Sequence, residues 1–539
     1  MKFHAALRAG VRSIFLRVEE ALDAPFGGAD NPLRHLGAIG LYLLWIVVGT
    51  GIYLYTVLDT GIAAVYRSIG QLSTDQWYLG GILRSLHRYS ADGFVLVMML
   101  HLVREWCYGR YHGFRLYSWV TGVPLIWLAY MAGIGGYWIV WDQLAQLSAL
   151  STAELLDWLP VISEPTARNF LAPDSISDRF FTMLVFLHLG VPLLLILGLW
   201  AHVHRISHVD YLPSRRAMLA TLAALLVLAL IRPVASHPPA NLATVPRDVA
   251  LDWFILFIHP LTDLGSPAIV WALLFAATIV LCALPILPHP ARDPVAVVTP
   301  ARCTGCDRCL ADCPYAAITM TPHPLRPGSN LAVVDADLCA ACGICAGSCP
   351  SSTPFRRQPT LVTGIDMPQL PVNALRECLD RSLGEHRHEP TIVVFACSRA
   401  ADANALAMPD AIVVPLPCTG MLPPSFVEYA LRTGADGVLL TTCRAGGCAF
   451  RLGERWTAER LAGRREPHLR RNVPRDLVAV VPLAVGDSAA LDAALASFRR
   501  NLQGGPAASA SLPPYEVLRR PTAEPVFGSV RSPDPRISA

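Results

Sequence analysis

The sequence predicts a multidomain protein: an all-α membrane bundle of six transmembrane helices, a small cysteine-rich α+β domain, and a small α/β domain with a parallel sheet. Composition is the first observation, because 53% hydrophobic and 16% charged residues, with a mean hydropathy of +0.41, are too apolar for a wholly soluble chain of 539 residues. The second is that the apolar excess fills the first half. The third is that cysteines recur at regular spacings after residue 300.

Six apolar runs are long enough to cross about 30 Å of hydrocarbon, which needs roughly 20 helical residues. They lie at residues 36–57, 80–104, 116–140, 180–203, 216–233 and 266–288, and place a membrane domain at residues 31–290. Residues 1–30 begin with an apolar stretch interrupted by Lys2, Arg8, Arg12 and Arg17. That pattern predicts an amphipathic helix on the membrane surface rather than a secretory signal.

The loops predict the orientation, because Lys and Arg accumulate on the cytoplasmic side. Basic residues are frequent after the second and fourth predicted helices, whereas residues 143–178 contain Arg168 alone. We therefore expect a multi-pass protein of a bacterial or archaeal cytoplasmic membrane, with both termini and the cysteine-rich domains in the cytoplasm. Cysteines in that compartment more often bind metals than form disulfides.

Two predicted membrane helices carry paired histidines. His87 and His101 lie fourteen residues apart on the second helix, and His188 and His202 have the same separation on the fourth. Fourteen helical residues rise about 21 Å in nearly four turns, so each pair lies roughly on one face with one histidine near each surface. Two facing helices of this kind can hold two haems, each between one histidine from each helix. Packed core histidines are the alternative, but ionisable residues at membrane depth are usually functional.

Glycines repeat the same spacing on the first and third predicted helices. Gly37 and Gly51 lie fourteen residues apart, as do Gly122 and Gly136. A missing side chain lets a flat macrocycle approach the backbone. Small residues also pack membrane helices together, so the glycines support haem binding through their register with the histidines.

On the paired histidines, the glycine pairs, LRSLHR and GYWIVWDQ, residues 30–210 resemble the cytochrome b of quinol-oxidising respiratory and photosynthetic bc complexes. The resemblance implies two haem b groups. It pairs His87 with His188 near the outer surface and His101 with His202 near the cytoplasm. It is also compatible with a homodimer, as in cytochrome b families.

Three charged residues have roles implied by the same resemblance. Arg84 and Arg88 would pair with haem propionates, although long basic side chains also occur as ordinary interface charges. Asp252, in ALDWFILF, stands where the family has a Pro-Glu-Trp-Tyr motif at its quinol-oxidation pocket, and would accept a proton in quinone chemistry. Asp252 could instead cap the segment that follows it.

A proline-rich connector, ILPHPARDP, leads to two cysteine runs, ARCTGCDRCLADCP and DLCAACGICAGSCP. This doubled pattern is typical of two-cluster bacterial ferredoxins, in which the fourth cysteine of each run serves the other cluster. Residues 298–355 are therefore predicted to form a ferredoxin-like α+β domain with two [4Fe-4S] clusters, and structural zinc is the less favoured alternative. The predicted ligands of one cluster are Cys303, Cys306, Cys309 and Cys349. Those of the other are Cys339, Cys342, Cys345 and Cys313.

Residues 385–490 alternate buried strands with helices, as in TIVVFACS, AIVVPLPC, GVLLTTC and LVAVVPL. Cys397, Cys418 and Cys443 fall at strand ends, and Cys448 follows shortly afterwards. The ends of parallel strands meet at one sheet edge, so we expect these cysteines to lie close together. Their spacing leaves open a [2Fe-2S] cluster, a zinc ion, a redox disulfide, or buried apolar thiols.

The segments FACS, PCTG and GADGVLLTTCRAGGCAFRLG resemble the delta subunit of methyl-viologen-reducing hydrogenases. The resemblance implies one [2Fe-2S] cluster, with the four late cysteines as its ligands. It also implies electron transfer to a heterodisulfide-reductase-like flavoprotein. Residues 502–539 are rich in Pro, Ala and Ser, and we expect them to lack a core or to order against a partner.

Taken together, these patterns predict a membrane-anchored electron-transfer subunit between the quinone pool and a cytoplasmic flavoprotein or dehydrogenase. Quinone reduction is the simpler direction. The alternatives are a subunit that oxidises quinol to drive a low-potential reduction, and a membrane redox sensor without turnover. We expect the chain to act in an oxidoreductase complex, without a substrate dehydrogenase site of its own and without a nucleic-acid partner.

Overall fold

The computed structural model describes residues 2–28, 30–160, 176–246, 249–286, 293–386, 389–400, 411–504 and 516–517. Most of the proline-rich connector, the segment containing Arg168, and most of the C-terminal tail lie outside the described residues. The chain forms two compact units, residues 1–292 and 293–539, and each is described by itself.

The described part of the first unit is helical. Its helices are α1 (Lys2–Phe26), α2 (Leu36–Val57), α3 (Val65–Thr74), α4 (Ile82–Cys107), α5 (Leu116–Val140), α6 (Gln143–Asp157), α7 (Asp178–Val203), α8 (Arg215–Ile231), α9 (Ile258–Leu264) and α10 (Pro267–Ala283). Every predicted transmembrane segment coincides with one of these helices. The predicted all-α membrane unit is therefore confirmed.

Four helical stretches in the described residues are long and apolar enough to cross a membrane: Leu36–Val57, Gly113–Val140, Asp178–Val203 and Pro267–Ile286. The other two predicted spans differ from these for physical reasons. Helix α4 has 26 residues but carries charged side chains from Arg84 to Glu105. Helix α8 has 17 residues, about 25 Å of rise, which is less than the hydrocarbon thickness. The count of six spans stays a prediction.

The membrane helices pack in pairs, α2 along α4 and α5 along α7. Their shared core contains Leu43, Phe94, Leu125 and Leu195, all nearly inaccessible to solvent. This packing places the predicted glycine helices, α2 and α5, directly against the predicted histidine helices, α4 and α7.

Helix α1 has two kinds of surface, as the sequence predicts. Leu7, Ile14 and Val18 remain exposed along it, which suits contact with lipid. Buried Glu19 accepts a hydrogen bond from Arg104 Nε at 2.9 Å and lies 3.5 Å from Arg34 Nε. These ion pairs join α1 to the start of α2 and the end of α4.

The second unit begins with short elements around the two cysteine runs. They are β1 (Val297–Val298), α11 (Arg308–Asp312), β2 (Ile318–Pro322), β3 (Asn330–Val334), α12 (Ile344–Ser348), β4 (Ile365–Asp366) and α13 (Val372–Glu385). Strands β2 and β3 form an antiparallel hairpin in which Ile318 pairs with Val334, and β1 pairs with β4. This arrangement is the predicted α+β domain.

A five-stranded sheet follows. Its elements are β5 (Ile392–Cys397), β6 (Ile412–Leu416), α14 (Ser425–Arg432), β7 (Gly437–Cys443), α15 (Gly453–Leu461), β8 (Val478–Leu483), α16 (Ser488–Leu502) and β9 (Glu516–Val517). The strand order is β6-β5-β7-β8-β9, with the first four strands parallel and β9 antiparallel to β8. The predicted parallel sheet is confirmed, and a single hydrophobic core extends from the cysteine runs into it.

Candidate functional site

The four membrane histidines form two pairs across α4 and α7. The ring centroids of His87 and His188 lie 6.3 Å apart. Two imidazoles on opposite sides of one iron need about this separation, because each metal–nitrogen bond is about 2 Å and each ring centre lies about 1 Å beyond its nitrogen. His101 and His202 also lie within electrostatic range of each other. The structure thus brings together both pairs that the resemblance implies.

Each glycine of the spaced pairs faces one of these histidine rings. A Cβ atom built on the glycine would lie at the following distances from ring atom Cε1: 3.0 Å for Gly51 and His87, 3.1 Å for Gly136 and His188, 3.2 Å for Gly122 and His202, and 3.9 Å for Gly37 and His101. Three of these distances are shorter than ordinary van der Waals contact, so a methyl group would push the ring. At Gly51, Gly122 and Gly136 the backbone of α2 and α5 therefore leaves room for an imidazole that an added side chain would crowd, whereas at Gly37 a Cβ atom would make ordinary contact.

In His87 and His188, the ring nitrogen Nδ1 forms a hydrogen bond with the backbone of the helix that carries the facing glycine. Nδ1 of His87 lies 3.0 Å from the carbonyl oxygen of Val47, and Nδ1 of His188 lies 3.1 Å from that of Ala132. A carbonyl oxygen only accepts, so each Nδ1 donates its proton there and Nε2 keeps a free lone pair for a metal. The donor set therefore fits an axially coordinated haem iron.

Two threonines near these rings were not predicted from the sequence. Thr50 Oγ1 lies 3.2 Å from His87 Nδ1, and Thr121 Oγ1 lies 3.3 Å from His202 Nδ1. Each threonine immediately precedes one of the spaced glycines, so the repeated Thr-Gly pair was the signal that could have found them.

Arg84 lies buried near the N-terminal end of α4. Its guanidinium donates to Ser73 Oγ at 2.6 Å and to Ser236 Oγ at 2.8 Å, both neutral acceptors. Its charge is partly compensated by Asp142, which lies within electrostatic range, and its direct hydrogen-bond partners are neutral hydroxyl groups, so a further anionic group could still bind. The predicted contact of Arg84 with a haem propionate stays a prediction.

Arg88 and Asp252 belong to one polar cluster, together with Asp92 and Tyr137. Arg88 pairs with Asp92 at 2.5 Å and with Asp252, and its guanidinium lies 4.6 Å from the centre of the Tyr137 ring. The Tyr137 hydroxyl donates to Asp252 Oδ2. Tyr137 was not predicted as a site residue, although it lies in GYWIVWDQ.

Asp252 also acts as a local cap. Its Oδ1 accepts from the backbone N–H groups of Phe254 at 2.7 Å and Ile255 at 3.2 Å. The sequence left open whether Asp252 caps its own segment or takes part in proton chemistry. The structure shows the cap at Oδ1 and leaves Oδ2 within the polar cluster.

The first predicted cluster site is a cavity in the second unit. Its lining includes one cysteine from the second run and three from the first, namely Cys303, Cys306, Cys309 and Cys349. Gly364 lies against this site, since a Cβ atom there would come within 3.2 Å of Cys349 Sγ. The fold thus brings together the cysteines of the predicted crossed arrangement.

The second predicted cluster site is more deeply enclosed. Cys313, Cys342 and Cys345 are buried, Cys339 is partly buried, and these thiols influence one another electrostatically. The equivalent positions Gly305 and Ala341 have left-handed backbone, with φ of 69° and 53°. The two cysteine runs therefore form similar loops despite their different residues.

Burial determines the charge state of these thiols before any metal binds. It raises the pKa of Cys309 to about 12, with neighbouring Cys349 and Cys306 adding to the shift. It also raises the pKa of Cys342 and that of Cys345. The thiols of Cys309, Cys342 and Cys345 are therefore protonated near neutral pH, and binding iron must release their protons.

The four late cysteines meet at the edge of the parallel sheet, as predicted. Cys397 and Cys443 end the adjacent strands β5 and β7, and their sulfur atoms lie 4.0 Å apart. Cys448 hydrogen-bonds Cys443 and Cys418. Gly453 begins α15 directly beside this group, and a Cβ atom there would come 3.3 Å from Cys448 Sγ and closer still to Cys418 Sγ.

Hydrogen bonding among these thiols separates their acidities. Bonds from Cys418 and Cys443 lower the pKa of Cys448, and donation to Cys397 and Cys448, with burial, raises the pKa of Cys443. Four buried thiolates at this separation require a cationic group to compensate their charge. The donor set is therefore suited to iron or zinc.

Within the described residues, no three His, Cys, Asp or Glu side chains surround the position of a single metal ion. The 4.0 Å between the sulfur atoms of Cys397 and Cys443 is compatible with either a zinc ion or an iron–sulfur cluster.

Family comparisons identify three regions of the chain. Residues 29–209 match the family Cytochrome b/b6/petB, residues 302–353 match a 4Fe-4S dicluster domain, and residues 392–504 match the delta subunit of methyl-viologen-reducing hydrogenase. The predicted fusion is confirmed. The cytochrome b region implies haem b, and the dicluster region implies iron–sulfur clusters. The chain is therefore a membrane electron-transfer protein with both kinds of redox group.

One solved structure with similarity to this chain is described as a hyperthermophilic respiratory Complex III. It is 18% identical, the alignment covers 47% of this chain and 75% of that chain, and the TM-score is 0.39. The assignment of the regions rests on the family matches.

Proposed function

We propose that this chain carries electrons between a cytoplasmic redox partner and the membrane quinone pool, in the direction of quinone reduction. The route consists of one [2Fe-2S] cluster, two [4Fe-4S] clusters and two haem b groups. The observation that carries the proposal is that one chain holds five ligand groups suited to one-electron cofactors. These are two cross-helix histidine pairs and three cysteine quartets.

In the membrane unit, the protein supplies orientation and a dry environment. Bound haems would provide one-electron oxidation and reduction between the two surfaces. Donation from Nδ1 of His87 and His188 to backbone carbonyls fixes the ring orientation and presents Nε2. The glycines of α2 and α5 leave the space beside each ring unfilled by side chains.

In the iron–sulfur unit, we assign the ligands as crossed quartets. Cys303, Cys306 and Cys309 act with Cys349, and Cys339, Cys342 and Cys345 act with Cys313. The late cysteines would hold the third cluster, a [2Fe-2S] group, and the match of residues 392–504 to the delta subunit of methyl-viologen-reducing hydrogenase supports this assignment. A zinc ion at this site could not accept or release an electron, so the route would lack a redox group next to the partner protein.

Quinone reduction consumes protons as well as electrons, so the membrane unit needs a group that exchanges protons. We assign this role to Asp252 Oδ2, which accepts a hydrogen bond from Tyr137. Arg88 contacts both Asp252 and Asp92, so it can stabilise the ionised carboxylates while a proton moves between quinone and water.

The partner of the late cysteine site is a heterodisulfide-reductase-like flavoprotein, or a dehydrogenase that delivers electrons through one. The family match of residues 392–504 supports this assignment. Basic loops next to α4 and α7 support a cytoplasmic location for the iron–sulfur unit. The membrane unit is also compatible with a homodimer.

The test begins with purification of the complex in a mild detergent and identification of its other subunits. Membrane vesicles that contain it are then reduced through the partner, and quinone reduction is followed with and without an uncoupler. We expect reduction to continue when the uncoupler is present, because this direction does not need the membrane potential. A second assay supplies quinol and oxidised partner. Potential-driven turnover in that assay, lost with the uncoupler, would support quinol oxidation instead, since that direction draws on about 2.3 kcal/mol per charge per 100 mV.

Two further outcomes would contradict the proposal. Fewer than two haems per chain would contradict the four-histidine assignment. Reduced clusters that fail to reduce the haems within the time of one turnover would favour a redox sensor over an electron carrier. Haem content, iron content and rapid-mixing spectra from the same preparation distinguish these results.

A further inference from the structure

Arg460 is a deeply buried cation in the iron–sulfur unit. It lies on α15 and is 1% exposed. Its guanidinium contacts three segments, the end of α11, the start of α12 and the turn at Gly420: it donates to the Gly420 carbonyl at 2.8 Å, to the Ile344 carbonyl at 3.4 Å, and to Asp312 Oδ2. One side chain thus joins segments that are far apart in the sequence.

Each of these three acceptors lies beside a predicted cluster ligand. Asp312 immediately precedes Cys313, Ile344 immediately precedes Cys345, and Gly420 lies two residues after Cys418. Cys313 and Cys345 belong to the second cluster site, whereas Cys418 belongs to the late cysteine site. Arg460 therefore touches the supporting backbone of two neighbouring redox sites at once.

The segments that Arg460 joins approach closely because glycines form the contact. A Cβ atom on Gly347 would lie 2.8 Å from Arg460 Nη1 and 2.8 Å from the Met421 carbonyl oxygen. One on Gly420 would lie 3.0 Å from Gly453 Cα and 3.1 Å from Ile344 Cγ1. A methyl group on Gly347 would force its neighbours apart, and one on Gly420 would make unusually close contacts, so the two redox sites share a tight backbone interface.

Arg460 lies in a network of charged groups. Asp312 is 2% exposed and bonds both Arg460 and Arg465, the latter at 2.5 Å. Arg465 also pairs with Glu459 at 3.0 Å, so it has a second carboxylate besides the one that it shares with Arg460. Arg460 Nε is buried without a hydrogen-bond partner among the described residues. A buried cation with an unused donor suits the negative charge and the sulfur acceptors that four-thiolate clusters bring.

We propose that Arg460 is a positioning residue that couples the cluster site of Cys313, Cys339, Cys342 and Cys345 to the late cysteine site. One electron leaves the group at one site as one electron arrives at the other, and no bond or proton changes. The positive charge stabilises the reduced form at both sites, and the hydrogen bonds hold the segments together. This inference rests on the proposed function, since it requires iron–sulfur groups at both sites.

The test is a potentiometric titration of the full chain in detergent, followed by electron paramagnetic resonance of each cluster. We expect Arg460→Gln to lower the ratio of reduced to oxidised group at both sites by about tenfold at a fixed potential, which is about 59 mV for one electron. Arg455→Gln is the matched control, because Arg455 lies on the same helix but is exposed and pairs with Glu459. It should leave both potentials unchanged.

Two more variants separate charge from packing. Arg460→Lys keeps the cation and should change the ratio by less than about threefold, as expected for a charge effect. Asp312→Asn removes the opposing charge and should shift the ratio in the other direction. If Arg460→Gln fails to fold, the other two variants still test the role of the charge. Unchanged potentials in Asp312→Asn would contradict the inference.

Magnetic coupling gives a second measurement. When both sites are reduced, their unpaired electrons should broaden each other's spectra. Gly347→Ala should weaken this interaction by separating the segments, whereas Gly384→Ala, at a glycine with no other atom within 4 Å of an added Cβ, should not. Wild-type spectra without interaction would overturn the inference while leaving the proposed function intact. Wild-type protein without the clusters would contradict the proposed function itself.

Discussion

The two units position their redox ligands in contrasting ways. In the membrane unit, four histidines lie on two long helices at equal spacing, and their geometry follows from helix periodicity. In the iron–sulfur unit, the ligands lie on loops and strand ends spread over more than a hundred residues. The first arrangement needs two straight helices to face each other, whereas the second needs a whole domain to fold.

The residues that support these ligands differ as well. The groups in direct contact with the rings of His87, His188 and His202 are neutral: glycine backbone, carbonyl oxygens and threonine hydroxyls. Charged residues, among them Glu105, lie only within electrostatic range of His101. Around the late cysteines, support comes from ionised groups, with Arg460 and Asp312 fully buried. Low-dielectric surroundings make a buried charge costly unless it is compensated, and neighbouring thiolates provide compensation that neutral imidazoles do not.

Removal of a histidine should have the largest effect in the membrane unit. His188→Ala removes one ligand of the outer pair, and we expect the variant to lose one of its two haems. Haem content per chain and the low-temperature absorption spectrum measure this loss. His204→Ala is the control, because His204 is exposed two residues beyond His202 and stacks on Trp200. Retention of both haems in His188→Ala would contradict the proposed pairing.

The corresponding change in the iron–sulfur unit should have a narrower effect. Cys443→Ser removes a central thiol of the late site, and we expect loss of the [2Fe-2S] signal while both [4Fe-4S] signals remain. Iron content and electron paramagnetic resonance measure the outcome. Cys378→Ser is the control, because Cys378 is exposed on α13. An unchanged spectrum in Cys443→Ser would remove this thiol from the ligand set.

These two sites also differ in how far the sequence could predict them. The histidine pairs and the facing glycines follow from one repeated spacing, so the sequence indicates which residues meet. The sequence also predicted that the late cysteines meet at one sheet edge, because it predicted parallel strands that end there. The structure confirms the parallel strands. Arg460 carried no such signal, because its three acceptors come from segments whose proximity depends on the complete fold.

The same reasoning explains two further residues. Tyr137 lies within a predicted helix, but its contact with Asp252 depends on how a later segment returns to α5. The apolar run at residues 80–104 predicted helix α4 despite its charged residues, and the histidine spacing then indicated which side chains form its site. Neither hydropathy nor periodicity could predict the tertiary contacts between distant segments.

A smaller effect is expected from adding a methyl group beside a histidine. In Gly51→Ala, the new Cβ atom would lie 3.0 Å from His87 Cε1, so the ring must shift. Overpacking of this kind costs about 1–3 kcal/mol, and we expect weaker haem retention during purification. Gly49→Ala lies on the same helix with no atom within 4 Å of the added group, and should retain both haems. Equal retention in the two variants would show that Gly51 does not shape the site.

The smallest effect concerns the threonine hydroxyl groups. Thr121 Oγ1 donates its own proton to the Tyr117 carbonyl at 2.8 Å, so towards His202 Nδ1 it acts as the acceptor. Thr121→Val removes that acceptor while keeping the side-chain shape. Loss of one hydrogen bond costs about 0.5–1.5 kcal/mol, and we expect the potential of the haem bound by His202 to rise, because the less polarised imidazole is a weaker donor to oxidised iron.

A comparison with Thr50 sharpens this prediction. Thr50 likewise donates to the Ile46 carbonyl at 2.7 Å and accepts towards His87 Nδ1, and that nitrogen also has the Val47 carbonyl at 3.0 Å. His202 has a second acceptor as well, in the backbone of Ser118. Thr50→Val and Thr121→Val should therefore shift their haem potentials by similar small amounts, and Thr121→Ser should restore the wild-type value. A shift that persists in Thr121→Ser would mean that Thr121 acts through packing, because serine keeps the hydroxyl group and loses only the methyl group.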